Sequence, residues 1–329
     1  MQARHVSYGD IDGAGEEITV GIVDTIFEAN ESQTGNVSQS VCCLREYADD
    51  PPDRTAQHGE WVFDIASCYA YEATFALYLA AFDMADADDE SDVRIPQLAL
   101  ARAVDAAIEH DVDVLNVSAG RSRPNCTHGN CVYCSEVDRA VDHGISVVAS
   151  AGNQQDEAVH CPSNTESAIS VGGMEVECTY SPPRIPGTRS GKPPQAYWTY
   201  LFDGNDYPDG AATATYCSTR GCWQNGGGCE NNKLRTSWDQ NPIFSGGKPD
   251  VLAPVHYAGE QEAGRPFVWA ASSFAAPVVS GCIAGVLSEL DWEPSPFGIR
   301  QAIRDGAEPL GEIRVDGFDA AGTYRELSE

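Results

Sequence analysis

Four short segments, spread over about 250 residues, carry the side chains that nucleophilic attack on a carbonyl requires. Asp24 follows Ile18-Thr19-Val20-Gly21-Ile22-Val23, and His58 begins His58-Gly59. Asn153 closes Ala151-Gly152-Asn153, and Ser273 lies in Ser272-Ser273-Phe274-Ala275-Ala276-Pro277. A serine hydroxyl attacks poorly until a neighbouring base takes its proton. Imidazole is suited to that task near neutral pH. A buried carboxylate can then fix the imidazole tautomer and steady the imidazolium. A side-chain amide beside the nucleophile's own N–H would bind the tetrahedral oxyanion, a donor worth about 2.7–4 kcal/mol of transition-state stabilisation. Taken singly, Asp24 reads as a turn or capping residue, His58 as a helix start and Ser273 as an N-cap. Four such residues in matching contexts read together as a catalytic set.

The elements that must position them alternate between strand and helix. Ile18 to Val23 is a β-branched run suited to a buried parallel strand. His58 opens a helix whose Trp61, Val62, Ile65 and Ala66 recur at helical spacing. Leu100, Val104, Ala107 and Ile108 form an apolar stripe, and the strand Val112–Ser118 follows at once. Ser135 is expected to cap a helix ended by Gly144, before strands at Ile145–Ser150 and Ala168–Gly172. Ser273 stands at the amino end of an apolar helix running to Val286, where the helix dipole favours developing negative charge. Ser295-Pro296 caps a last helix carrying Ile299, Ala302 and Ile303 and stopped by Gly306. Such alternation predicts a doubly wound α/β fold, a parallel sheet with helices on both faces, in one domain of residues 1–329. Asp24 would then sit at the carboxyl end of a strand, the edge where sites of open α/β sheets gather.

The order Asp, His, Ser and these contexts resemble the subtilisin-like serine peptidases, from about Ile18 to about Ala307. Val114-Leu115-Asn116-Val117-Ser118-Ala119-Gly120 is similar to the family's substrate-binding strand. Ile169-Ser170-Val171-Gly172-Gly173 resembles the strand beyond the oxyanion asparagine, and Lys248 to Pro254 the segment before the nucleophile. The resemblance implies a serine endopeptidase working through an acyl-enzyme, with Ser273 as nucleophile, His58 as base, Asp24 as its orienting carboxylate and Asn153 as oxyanion donor. It further implies that Ser118, Ala119 and Gly120 bind peptide backbone as an added strand, with Ala151 and Gly152 opposite. The chain departs from the family pattern at Thr25-Ile26, Glu60-Trp61 and Ala271-Ser272, although Ser272 keeps a hydroxyl that helps the family's oxyanion hole. Members usually carry a prosegment. The 23 residues before Asp24 are too few for one, so an intracellular type with a short extension over residues 1–17, or a chain lacking its processed front end, is expected.

Composition narrows the partners. Fifty acidic residues against 20 basic ones give a net charge of −30, and only three lysines occur. Such a field repels nucleic acid and anionic membranes and leaves a peptide or protein substrate as the expected partner. A 42% hydrophobic content argues against disorder. The acidic, lysine-poor surface suits a high-salt environment and predicts salt-dependent folding. No run of eighteen apolar residues occurs, and Met1 to Gly15 lacks the apolar core of a secretory signal, so a cytoplasmic location is favoured unless the true start lies upstream.

The 12 cysteines and the charge runs raise the question of metals. Cys126, Cys131 and Cys134 lie in an insertion over residues 121–134 at spacings zinc can use, with Cys161 or His160 as a fourth ligand. Disulfide partners or free thiols are the simpler reading, and no metal site is assigned. A longer insertion rich in Cys, Gly and Pro covers residues 178–238. Many relatives use structural calcium, but Asp86 to Asp92 lacks the glycine and spacing of a calcium loop and reads as a solvated charge run. No cofactor is expected. Two competing functions remain: a catalytically impaired relative serving as a peptide-binding module, and an acidic cation-binding structural protein.

Overall fold

Alternation of side chains along each strand sets the layering of the molecule. In β1 (Thr19–Asp24), Val20 and Ile22 enter one hydrophobic core and Val23 the other. In the neighbouring β3 (Thr74–Leu79), Phe75 and Leu77 face the first core while Ala76 and Tyr78 face the second. A strand whose two faces are both buried must lie inside a sheet covered on both sides. The computed structural model describes residues 11–25, 27, 36–44, 58–83, 93–120, 126, 131–152, 159–177, 233–236, 249–254, 256–260, 266–270, 272–309 and 315–329.

The sheet is completed by β2 (Val37–Cys42), β6 (Val114–Val117), β7 (Ser146–Ser150), β8 (Ile169–Glu177), β9 (Lys233–Thr236) and β10 (Val251–Pro254). Its order is β10-β8-β7-β6-β1-β3-β2, with every pair on this path parallel. β9 adds antiparallel to β8. Two small antiparallel pairs lie outside it, β4 (Phe82–Asp83) with β5 (Val93–Arg94), and β11 (His256–Glu260) with β12 (Pro266–Ala270). One face carries α1 (His58–Tyr69) and α4 (Ser272–Ser288), and their core extends to α5 (Pro296–Asp305) and α6 (Ala320–Ser328). The other face carries α2 (Gln97–Glu109) and α3 (Val132–Asp142). The predicted doubly wound architecture is therefore the observed one.

Most element starts fall where the sequence places them, with instructive shifts. Ser295 caps α5 by accepting from the Gly298 N–H at 3.2 Å, and Gly306 closes that helix. Gly144 follows α3 at φ +91°, a conformation other residues resist. Ser135, expected as the cap of α3, instead lies within its first turn. The helix opens at Val132 after Cys131, and the Ser135 hydroxyl donates to the Cys131 carbonyl at 2.9 Å. A serine can bond back one turn as readily as it caps, so its presence marks the region of a helix start and not the residue. The paired part of β6 is shorter than Val112–Ser118, and β8 runs on to Glu177 to receive β9.

α4 is buried along nearly all its length, from Ser272 to Val286, and forms the axis of the larger core. It approaches α1 closely at Gly281, where a Cβ would come 2.6 Å from the Ala66 carbonyl oxygen. The two helices that carry Ser273 and His58 are thereby fixed against each other by backbone proximity. Eight cysteines lie among the described residues, and all eight are free thiols; Cys178, Cys217, Cys222 and Cys229 fall outside them. Of the insertion at 178–238, only β9 is described. The acidic run Asp86 to Asp92 and the insertion residues 121–125 and 127–130 also fall outside.

Candidate active site

The carboxyl end of β1 delivers Asp24 to the rim of the sheet, fully buried. The first residue of α1 is His58, and the second residue of α4 is Ser273. These three meet although 34 and 215 residues separate them in sequence. His58 Nδ1 lies 2.7 Å from Asp24 Oδ1, and His58 Nε2 lies 2.9 Å from Ser273 Oγ. An ionised carboxylate only accepts, so Nδ1 carries the hydrogen and Nε2 is left to accept from the serine hydroxyl. The imidazole thus bridges hydroxyl and carboxylate.

Local contacts hold each member. Asp24 Oδ1 also accepts from the Thr25 N–H at 2.7 Å. Asp24 Oδ2 is buried and has no hydrogen-bond partner among the described residues. Thr25 turns its hydroxyl to accept from the Gly59 N–H at 2.8 Å. That bond satisfies an orphan donor of the first turn of α1 and seats the helix, with His58, on the end of β1. The sequence marks Thr25 only as the residue after Asp24. Its signal was a hydroxyl between a strand end and a downstream helix start, a pattern too common to single out. Phe274 lies beside the imidazole with ring centres 5.4 Å apart, and Trp61 meets Phe274 edge-on at 6.1 Å. The His58 side chain keeps 17% of its surface exposed while Asp24 keeps none, so approach to the site is from the imidazole and hydroxyl side.

The residues expected to contact substrate line two neighbouring strand ends. Ser118, Ala119 and Gly120 follow β6, and Ala151 and Gly152 follow its parallel neighbour β7. Ser118 is buried, and its hydroxyl accepts from Asn116 Nδ2 at 2.8 Å. Asn116 was not singled out by sequence. Its Oδ1 accepts from the Ser280 hydroxyl of α4 at 3.4 Å, which ties the strand to the helix that carries Ser273. Gly152 adopts φ +103° and donates its N–H to the Ser272 hydroxyl at 3.2 Å, bringing the end of β7 against the start of α4. Asn153 lies outside the described residues.

With this geometry established, the likeness to known proteins is informative. The model of the subtilase family, Peptidase S8, matches residues 15–322. The chain belongs to the subtilase family. This agrees with the resemblance read from the sequence. No curated protein matches the chain. Among solved structures it is similar to the prenylagaramide maturation protease PagA, at 17% identity and TM-score 0.57, covering 98% of this chain and 96% of that one. It is also similar to a cold-adapted subtilisin-like serine proteinase, at 15% identity and TM-score 0.56, covering 94% and 90%. The nisin leader peptidase NisP from Lactococcus lactis matches at 15% identity and TM-score 0.58, covering 97% and 90%. At these identities the likeness is one of fold. Subtilases are serine peptidases that act on peptides or proteins. Among the described residues no helix is long and apolar enough to cross a membrane.

Proposed function

We propose that this subtilase is an active serine endopeptidase in which Ser273, His58 and Asp24 form the catalytic triad. The observation that carries the reading is the pair of contacts made by one imidazole, 2.9 Å to the serine hydroxyl and 2.7 Å to a buried carboxylate. In the first step Ser273 Oγ attacks the scissile carbonyl carbon as its proton passes to His58 Nε2. The buried Asp24 carboxylate keeps Nδ1 protonated and stabilises the imidazolium so formed. The tetrahedral oxyanion is received by the Ser273 N–H at the start of α4 and by the Asn153 amide, where the helix dipole adds to the two donors. Collapse breaks the C–N bond, and His58 returns its proton to the departing amine. Water, deprotonated by His58, then cleaves the acyl-enzyme and restores the hydroxyl. Extended peptide pairs with the backbone of Ser118, Ala119 and Gly120, with Ala151 and Gly152 forming the facing wall.

A fluorophosphonate probe tests this directly. The full chain is expected to be labelled at Ser273 and to cleave a protein substrate internally, and Ser273→Ala is expected to lose both. A well-folded wild-type chain that takes no label would be a peptide-binding module, and the enzymatic reading would be abandoned.

A further inference from the structure

Four cysteine sulfurs converge beside the substrate-side strand ends, on the α2/α3 face of the sheet. Cys126 comes from the segment after β6, Cys131 and Cys134 from the start of α3, and Cys161 from the loop after β7. Their Sγ atoms all lie within 4.8 Å of one another. Cys134 is central, 3.4 Å from Cys131, 3.7 Å from Cys126 and 3.9 Å from Cys161. A disulfide needs about 2.05 Å, so these are not bonded pairs. Four thiolates around a tetrahedral zinc at about 2.3 Å stand about 3.8 Å apart, edge by edge. The observed separations bracket that edge.

The scaffold holds the sulfurs together without help from sulfur chemistry. Asn164 Nδ2 donates to the Cys126 carbonyl at 3.2 Å, joining the two cysteine-bearing loops. The Thr165 hydroxyl donates to Asp138 Oδ1 on α3 at 2.8 Å. The Ser163 hydroxyl donates to the Ala149 carbonyl at 3.0 Å, and the His160 N–H to the Ala151 carbonyl at 3.0 Å. A preformed pocket of four soft ligands is what a structural metal site demands, and it leaves no open position for a reacting water. The sulfurs stand too close together to enclose a multi-iron cluster. Sequence spacing allowed Cys161 or His160 as the fourth ligand but favoured disulfides or free thiols; the fold supplies Cys161.

We infer that Cys126, Cys131, Cys134 and Cys161 bind one structural zinc ion. The four thiols would each release a proton, leaving a closed site of net charge −2. This ion would brace the wall of the candidate binding cleft. A Cβ at Gly120 would come 2.8 Å from the Cys161 carbonyl oxygen, and one at Gly152 would come 2.8 Å from the His160 ring. The His160-Cys161 step therefore abuts both strand ends, and fixing Cys161 fixes the spacing between them. Zinc binding itself does not rest on the peptidase reading; only its effect on substrate does.

The test is metal analysis of the full chain purified under reducing conditions. About one zinc per chain is expected. Cys161→Ala and Cys134→Ala are expected to lose it, and Cys68→Ala, remote from the cluster, to retain it. Cobalt(II) added to the reduced, metal-stripped chain should give the intense visible bands of tetrahedral thiolate coordination. Stripping with a chelator should lower the melting temperature by on the order of 10 °C, reversed by zinc. If the cysteine variants do not fold, the cobalt spectrum and chelator shift of the wild-type chain decide alone. Absence of zinc with no cobalt bands, iron in place of zinc, or a disulfide between any two of the four in a non-reducing peptide map would each overturn the inference.

Discussion

The proposed triad and the sulfur cluster are both assembled from distant segments, yet they are legible in the sequence to very different degrees. Each triad residue sits at an element boundary that the sequence announces: a β-branched run ending in Asp24, a helix opening at His58, an apolar helix beginning at Ser273. The rule that parallel strands present their carboxyl ends to one edge places Asp24, and the Asp, His, Ser order with its resemblance to the subtilisin-like peptidases joins His58 and Ser273 to it. The cysteines carry no such announcement. Cys126, Cys131 and Cys134 are close in sequence, but Cys161 comes from beyond β7, and only the pairing of β6 with β7 returns it to the others. Position in a periodic element can be read from sequence. Convergence of loops depends on how neighbouring strands end.

The two regions also differ in what they leave open to solvent. The proposed triad keeps part of the His58 side chain exposed and encloses one oxygen, Asp24 Oδ2, without a partner among the described residues. In the sulfur cluster Cys134 and Cys161 are buried and Cys126 and Cys131 half-buried, with the four sulfurs gathered on one another. If this contrast is right, damage to one region should leave the signature of the other intact.

The largest effect is expected at Asp24→Asn, which keeps the shape but removes the charge and frees the wrong imidazole tautomer. Catalytic turnover should fall by about 10⁴-fold, the scale seen when a triad aspartate is so altered in serine peptidases. Zinc content and melting temperature should move little by comparison. A fall of less than tenfold, measured as kcat on a peptide substrate, would remove Asp24 from the triad. The converse variant, Cys161→Ala, should lose the metal yet keep fluorophosphonate labelling at Ser273. Its kinetic cost should be mainly in KM, by about tenfold or roughly 1.4 kcal/mol of lost substrate binding, because the brace shapes the cleft and touches no reacting atom. A kcat collapse with KM unchanged would place the cluster's influence on the triad itself. Cys68 serves as the comparison thiol, because it packs on the α1 side against the larger core, away from the four converging sulfurs.

Other features were out of reach of sequence because they are pairwise. Thr25 with Gly59, Asn116 with Ser118 and Ser280, and Gly152 with Ser272 are each ordinary residues until the fold supplies the partner. The helix start of α3 slipped by a turn because a serine hydroxyl can bond back as well as cap. By contrast, the cap of α5 at Ser295-Pro296 was legible, since proline at the first helical position adds a second, independent constraint.

The smallest effect, and the one that asks what holds the two triad helices in place, concerns Gly281. A methyl group there would meet the Ala66 carbonyl at 2.6 Å, a backbone atom of α1 with no side-chain freedom to yield. Gly281→Ala must therefore push α4 away from α1, and overpacking of this kind costs about 1–3 kcal/mol. Because Ser273 and His58 ride on those two helices, the same displacement lengthens the 2.9 Å contact between them. The expected outcome is a lowered melting temperature together with a fall in kcat larger than any change in KM, while zinc content stays at the wild-type level. A loss of stability with kcat intact would mean that the serine–imidazole contact is set locally, by the Phe274 ring beside His58 and the Thr25 hydroxyl on Gly59, and not by the packing of helix on helix.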